Sequence, residues 1–188
     1  MKYPYWYWKK FFQLKEIKNI NKFILNNYNS IESSEKTAKN LNGENKKNVK
    51  CYLINYGKIK NLISNSLNNF FEINNYHFGF DLYPLLDLTN INYNIYTSED
   101  KSNYDWHLDS DSNNEIADIK LTCIINLSDN KFEGGNFLLN NGNEIVIEEL
   151  KEPGSMIMFR SYFLHKVTPV TLGTRKTLTI FLYGPRMK

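Results

Sequence analysis

The apolar positions change period about half-way along the chain. Residues 11–28 set Phe12, Leu14, Ile17, Ile20, Phe23, Ile24 and Tyr28 at intervals of three and four, which is the spacing of one buried stripe on an α-helix. Residues 58–71 repeat the pattern with Ile59, Leu62, Ile63, Leu67 and Phe70. Between them, residues 26–48 are polar and read as a mobile loop, and 49–56 read as a strand. Residues 78–83 alternate and predict a further strand. From Ile91 onward the runs shorten to strand length: 91–96, 104–109, 119–127, 136–139, 144–147, 155–159, 165–167 and 176–183. Turn clusters separate them, including Gly134-Gly135, Asn140 to Asn143 and Pro153-Gly154. Gly134-Gly135 in particular reads as a turn needing unusual backbone angles.

Strands after a helical half predict a mainly β fold with flanking helices, a double-sheet jelly roll of the double-stranded β-helix or cupin-like kind. No repeat and no second domain stand out. Residues 1–188 are therefore read as one domain, with 1–90 as helical support and 91–188 as the β core. A chain of this length buries roughly 70% of its unfolded surface, enough for a core without staples.

Composition narrows the function classes. The net charge is +3 and no long Lys/Arg run occurs, so nucleic acid is not indicated as a partner. Cys51 and Cys123 form neither a disulfide framework nor a zinc pattern; both are read as reduced thiols, Cys123 as a small core residue. The aromatic opening from Tyr3 to Trp8 is interrupted by Lys9 and Lys10 and has no small-residue cleavage site. It either forms an interface or packs on the domain's own core. No apolar run approaches a membrane span, so a cytoplasmic protein is expected, in the host cytoplasm if viral. The Asn-, Lys- and Ile-rich, Ala-poor composition suggests an AT-rich genome, such as that of a marine bacterium or a phage.

The chemistry concentrates in a few residues. Of three histidines, His107 stands two positions before Asp109, and on a strand both would point to one face. His165 follows an apolar strand and could face the same pair. Two histidines and a carboxylate form the facial triad of non-haem Fe(II) sites, which leaves metal positions open. Arg175 follows a Gly173-Thr174 turn. Residues 175, 177 and 179 share one face, polar enough for an interior pocket, while 176, 178, 180 and 182 are expected to pack between sheets. A buried guanidinium needs a partner and matches a carboxylate in bidentate fashion. His77 has no matching partners and reads as structural or surface.

With these residues assembled, residues 92–185 resemble the prolyl 4-hydroxylase-like branch of the Fe(II)/2-oxoglutarate dioxygenases, in its bacterial and phage form. The likeness rests on Tyr104 three residues before His107, the His107-Leu108-Asp109 motif, Phe132-Glu133-Gly134-Gly135, the Pro153-Gly154 turn, and the stretch from His165 through Thr168-Pro169-Val170 to Arg175. The resemblance implies that His107, Asp109 and His165 bind Fe(II), and that Arg175 binds the C5 carboxylate of 2-oxoglutarate. It places Tyr96, Thr177 and Asn126 against the cosubstrate and Tyr104 in the substrate pocket. Asn126 stands where some relatives carry a tyrosine, and the turn after Tyr96 is longer than in the family.

The implied activity is hydroxylation of an unactivated C–H bond with dioxygen and 2-oxoglutarate, ascorbate serving as reductant. The implied substrate is a prolyl or other residue of a peptide or protein. A free amino acid, small metabolite or nucleobase is the alternative, and a non-catalytic cupin-like binding module a lesser one.

Overall fold

A computed structural model describes residues 3–29, 47–109 and 117–186. The first helix, α1 (Leu14–Asn27), starts at Gln13, whose backbone N–H donates to the Glu16 carboxylate at 2.7 Å, closing a capping box. It buries Ile17, Ile20 and Ile24. The second helix, α2 (Tyr56–Ile73), buries Ile59, Ile63, Leu67 and Phe70. Most of each predicted stripe therefore faces the core, while Leu14 and Leu62 are exposed.

The strands, in chain order, are β1 (Tyr5–Trp8), β2 (Lys47–Asn48), β3 (Lys50–Asn55), β4 (Asn90–Thr97), β5 (Asn103–His107), β6 (Ala117–Asn126), β7 (Glu133–Gly134), β8 (Phe137–Asn140), β9 (Glu144–Val146), β10 (Met156–Arg160), β11 (Leu164–Val167), β12 (Val170–Leu172) and β13 (Thr174–Pro185). They form a six-stranded sheet ordered β1-β10-β6-β13-β4-β3, a five-stranded sheet ordered β2-β5-β11-β8-β9, and a β12-β7 pair. One core lies between the large sheet and the helices, the other between the two large sheets. Ile54, Tyr93, Leu121, Met158, Leu178, Ile180 and Leu182 meet the helices, whereas Tyr96, Ile124, Ile157 and Phe159 meet Phe137, Leu139 and Val167 of the smaller sheet. This is the mainly β, helix-flanked jelly roll expected from the sequence.

Several expectations need correction. Residues 78–83 form no strand. A π-helical turn (Asn74–Phe78) ends at Gly79 with φ +71°, and the Asn74 side chain bonds both the N–H and the C=O of Phe80. Local capping thus takes the backbone groups that a sheet would have used. The N-terminal part is not only helical support, because β1 and β3 form the two edges of the six-stranded sheet. The aromatic opening supplies β1, which pairs with β10, and Trp8 packs edge-on against Phe70. The even-numbered apolar residues of β13 pack under the helices, and the odd-numbered face lies between the sheets. The polar loop predicted at 26–48 lies mostly outside the described residues. Cys51 and Cys123 are both buried.

Candidate metal centre and carboxylate pocket

Strands β5 and β11 run antiparallel with His107 directly opposite His165, so the two imidazoles share one face. Their ring centroids are 4.0 Å apart. Strand β5 ends at His107, so alternation does not place Asp109. It is placed by its own N–H, which donates to the Ser161 carbonyl at 3.0 Å, and by the Thr122 hydroxyl, which donates to Oδ2 at 2.8 Å. The carboxylate then stands 3.2 Å from His165 Nε2 and 3.7 Å from His107 Nε2.

The histidines are oriented from behind. His107 Nδ1 is 2.7 Å from the Asp105 carbonyl and His165 Nδ1 is 3.0 Å from the Phe163 carbonyl. A carbonyl only accepts, so each Nδ1 carries a proton, and Nε2 is the nitrogen turned toward Asp109 and available to a metal. Tyr104 stacks on His107 with centroids 3.4 Å apart and planes within 11°, and Phe137 and Phe159 enclose His165. Burial opposes ionisation of Asp109, but the imidazoles of His165 and His107 and the Thr122 hydroxyl outweigh it and hold the carboxyl below its usual value. One ligand atom from each of His107, Asp109 and His165 lies within 4.8 Å of the others. Two imidazoles and a carboxylate converging on one point fit a divalent transition metal with positions left open.

Arg175 sits on the odd-numbered face of β13, opposite Tyr96 of β4, and is only 2% exposed. Its guanidinium carbon is 5.1 Å from the Tyr96 ring centroid, and the guanidinium donates a hydrogen bond to the Tyr96 oxygen. Among the described residues no carboxylate forms an ion pair with it. Burial pushes the Arg175 pKa down, with Tyr96 opposing, and pushes the Tyr96 phenol up to about 12 despite the cation beside it. A buried guanidinium without an internal anion fits an external carboxylate.

Gly135 makes this possible. It has φ +54°, and a Cβ there would lie 2.9 Å from Arg175 Cδ and 3.0 Å from Val170 Cγ2. The neighbouring Gly134 has φ +69°. The pair is the unusual-angle turn the sequence predicts, with a role in shaping the pocket that the motif alone does not disclose. Thr177 is buried on the same face as Arg175, two positions along.

Asn126 requires correction. Its Nδ2 donates to the Leu150 and Lys151 carbonyls at 2.8 and 3.1 Å, and its Oδ1 accepts the Ser128 N–H at 2.9 Å. The amide is committed to the backbone around the 3-10 turn Glu148–Lys151, so it braces strand ends rather than contacting a cosubstrate. Tyr104 is at the site, as the plate behind His107. His77 is exposed, not part of the triad cluster, and stacked on Trp6 at 4.2 Å. Thr122 was not anticipated, since a threonine mid-strand carries no sequence signal until Asp109 is seen beside it.

The geometry agrees with what this chain is similar to. The family model described as the 2OG-Fe(II) oxygenase superfamily matches residues 91–183. A PKHD-type hydroxylase of Synechococcus sp. (strain CC9605) is 37% identical over 73 residues, which cover 38% of this chain and 32% of that relative; the match spans about a third of the relative's length. The crystal structure of a Pseudomonas putida prolyl-4-hydroxylase superposes with a TM-score of 0.69 at 14% identity, covering 99% of this chain and 95% of that one. A Trichoplax adhaerens prolyl hydroxylase in complex with a hypoxia inducible factor oxygen degradation domain peptide fragment gives 0.68 at 13% identity, covering 97% and 84%. At these identities the superpositions speak for the fold, while the sequence match covers the β4-to-β13 segment that carries the triad and Arg175. The chain belongs to the 2OG-Fe(II) oxygenase superfamily, with the fold that prolyl 4-hydroxylases share.

Proposed function

We propose that this chain is an Fe(II)- and 2-oxoglutarate-dependent hydroxylase of an unactivated C–H bond, acting on a prolyl or other residue of a peptide or protein. The observation that carries the reading is the cluster of His107, Asp109 and His165 on the same inner core as Arg175, a buried guanidinium with no carboxylate partner among the described residues. In this reading the triad holds the iron, Arg175 and the Tyr96 hydroxyl take the distal carboxylate of 2-oxoglutarate, and Thr177 lines the same pocket. Bound there, iron and 2-oxoglutarate supply with dioxygen the oxidising power for hydroxylation, 2-oxoglutarate leaving as succinate and carbon dioxide. The side chains bind, orient and exclude water. The Asp105 and Phe163 carbonyls keep both histidines in the ligating tautomer, and Thr122 keeps Asp109 turned toward them. No protein nucleophile is needed.

The peptide substrate is supported by the branch of the family, since the Trichoplax adhaerens relative holds a peptide. A small-molecule substrate is the competing reading. The whole of 1–188 acting as one catalytic unit, and a cytoplasmic location, belong to the same proposal. No helix among the described residues is long and apolar enough to cross a membrane.

The purified chain, incubated with Fe(II), 2-oxoglutarate and ascorbate, should convert 2-oxoglutarate to succinate. Mass spectrometry of host peptides and metabolites should then reveal a product heavier by one oxygen. An oxygenated peptide supports the main reading and an oxygenated metabolite the competing one. Absence of both, together with absence of iron-dependent 2-oxoglutarate binding, would remove the proposal.

A further inference from the structure

A second buried arginine lies on the other face of the same sheet. Arg160 ends β10 and alternates with Met158 toward the helix-covered side. It is 1% exposed. Its Nε, Nη1 and Nη2 are all buried, and none has a hydrogen-bond partner among the described residues. Instead the guanidinium carbon lies 4.9 Å from the Phe78 ring centroid, 6.0 Å from Phe80 and 5.9 Å from Phe163. Other buried cations are partnered differently: Lys120 reaches Asp118 at 3.2 Å, and Arg175 has Tyr96. Aromatic faces offset part of the charge, but they offer no acceptor to the N–H donors, and an unmade charged hydrogen bond is the costly kind. Burial also depresses the Arg160 pKa.

The surroundings suggest what is missing. Phe78, Phe80 and Phe163 are each only half-buried, so the cage around the guanidinium reaches the surface. A planar fork among phenyl rings suits a planar carboxylate with an apolar body better than a compact, strongly hydrated anion. The cage also stands on a turn tied to the metal site. The Phe163 N–H closes on the Arg160 carbonyl at 3.0 Å, the Ser161 carbonyl accepts the Asp109 N–H, and the Phe163 carbonyl accepts from His165 Nδ1.

We propose that Arg160, in its cage of Phe78, Phe80 and Phe163, is an anion-binding site for a carboxylate carried on an aromatic or apolar body, distinct from the pocket of Arg175. The carboxylate comes from a small organic acid or from the C-terminus of a peptide.

The chain contains three arginines, Arg160, Arg175 and Arg186, so arginine labelled with nitrogen-15 gives three side-chain Nε–H signals, assigned by substitution. Titration of the full-length protein with phenylacetate should shift the Arg160 signal saturably, and phenylacetamide, its neutral counterpart, should not. Phenylacetate should raise the melting temperature of the wild type. Arg160→Met should weaken its binding by about 10–100-fold, as expected for losing a charged hydrogen-bond pair, while 2-oxoglutarate still shifts the Arg175 signal in the metal-loaded protein. Arg160→Gln serves if the methionine variant does not fold. An acetylated tripeptide ending in phenylalanine separates the sources: tighter binding than phenylacetate indicates a chain terminus, equal or weaker binding a small acid. An unmoved Arg160 signal, an equal response to phenylacetamide or to inorganic phosphate, or undiminished phenylacetate binding in Arg160→Met would overturn the site. None of these readings depends on turnover, so they stand or fall apart from the hydroxylase reading.

Discussion

At Asp109 the cost of burying a carboxylate and the attraction of two imidazoles oppose each other, and the imidazoles win. A carboxyl depressed in the folded state stabilises the fold fully above its unfolded value of about 3.9 and loses that contribution as pH falls through the lower folded value. Metal-free wild type should therefore lose more thermal stability than Asp109→Asn between pH 5 and pH 2, as followed by circular dichroism. With iron, Asp109→Ala should abolish succinate formation while leaving the fold largely intact, because Asp109 lies beyond the end of β5. Thr122→Val removes the hydroxyl donated to Oδ2 and should weaken metal binding by about tenfold, measured by competition with a chromophoric chelator. Arg175→Ala should weaken 2-oxoglutarate binding roughly 30-fold or more and spare the metal. Arg175→Lys should recover only part, because the fork is lost. Calorimetric titration of 2-oxoglutarate into the metal-loaded variants decides this, and unchanged affinity in the alanine variant would make Arg175 structural.

Elements turn these residues into a site through register and turns. The β5-β11 register sets His107 against His165, and the turn from Arg160 to Phe163 reaches back to hold Asp109 and His165. The Gly134-Gly135 turn controls the other end of the pocket. Gly135→Val adds a β-branched side chain at φ +54°, already 2.9 Å from Arg175 Cδ at its first atom. It should displace the arginine, lowering 2-oxoglutarate affinity more than metal affinity, with a stability loss of about 1–3 kcal/mol. Retained cosubstrate affinity, measured beside the chemical melt, would show that the turn yields instead. The helices and most strands were readable because their apolar periods matched the faces they bury. The strand predicted at 78–83 failed because alternation does not reveal that Asn74 caps Phe80 from six residues away. β1 went unread because the aromatic opening is polar in neither register, and only pairing with β10 makes it a strand.

Across the whole molecule, a buried polar network ties the helix layer to the sheet that carries Arg175. Asn21 of α1 donates to the Leu127 carbonyl at 2.9 Å and accepts from the Tyr93 hydroxyl at 2.9 Å. Asp129 pairs with Lys176 at 2.6 Å, so Lys176 points away from the interior that Arg175 enters. Asn21→Ala leaves the Tyr93 hydroxyl buried without its acceptor and should cost about 1–3 kcal/mol. The denaturation midpoint should fall while 2-oxoglutarate affinity holds; a parallel loss of affinity would mean that the helix layer tunes the pocket. The sequence by itself determined the period of each element and the presence of His107, Asp109, His165 and Arg175 in family-like spacing, because periodicity and ligand chemistry are local properties. Only the tertiary structure decided which face of β13 looks inward, that Asn126 serves the backbone, that Thr122 and Ser161 place Asp109, and that Arg160 is buried without an acceptor among the described residues. Those depend on contacts between strands far apart in the chain, whose pairing no local pattern records.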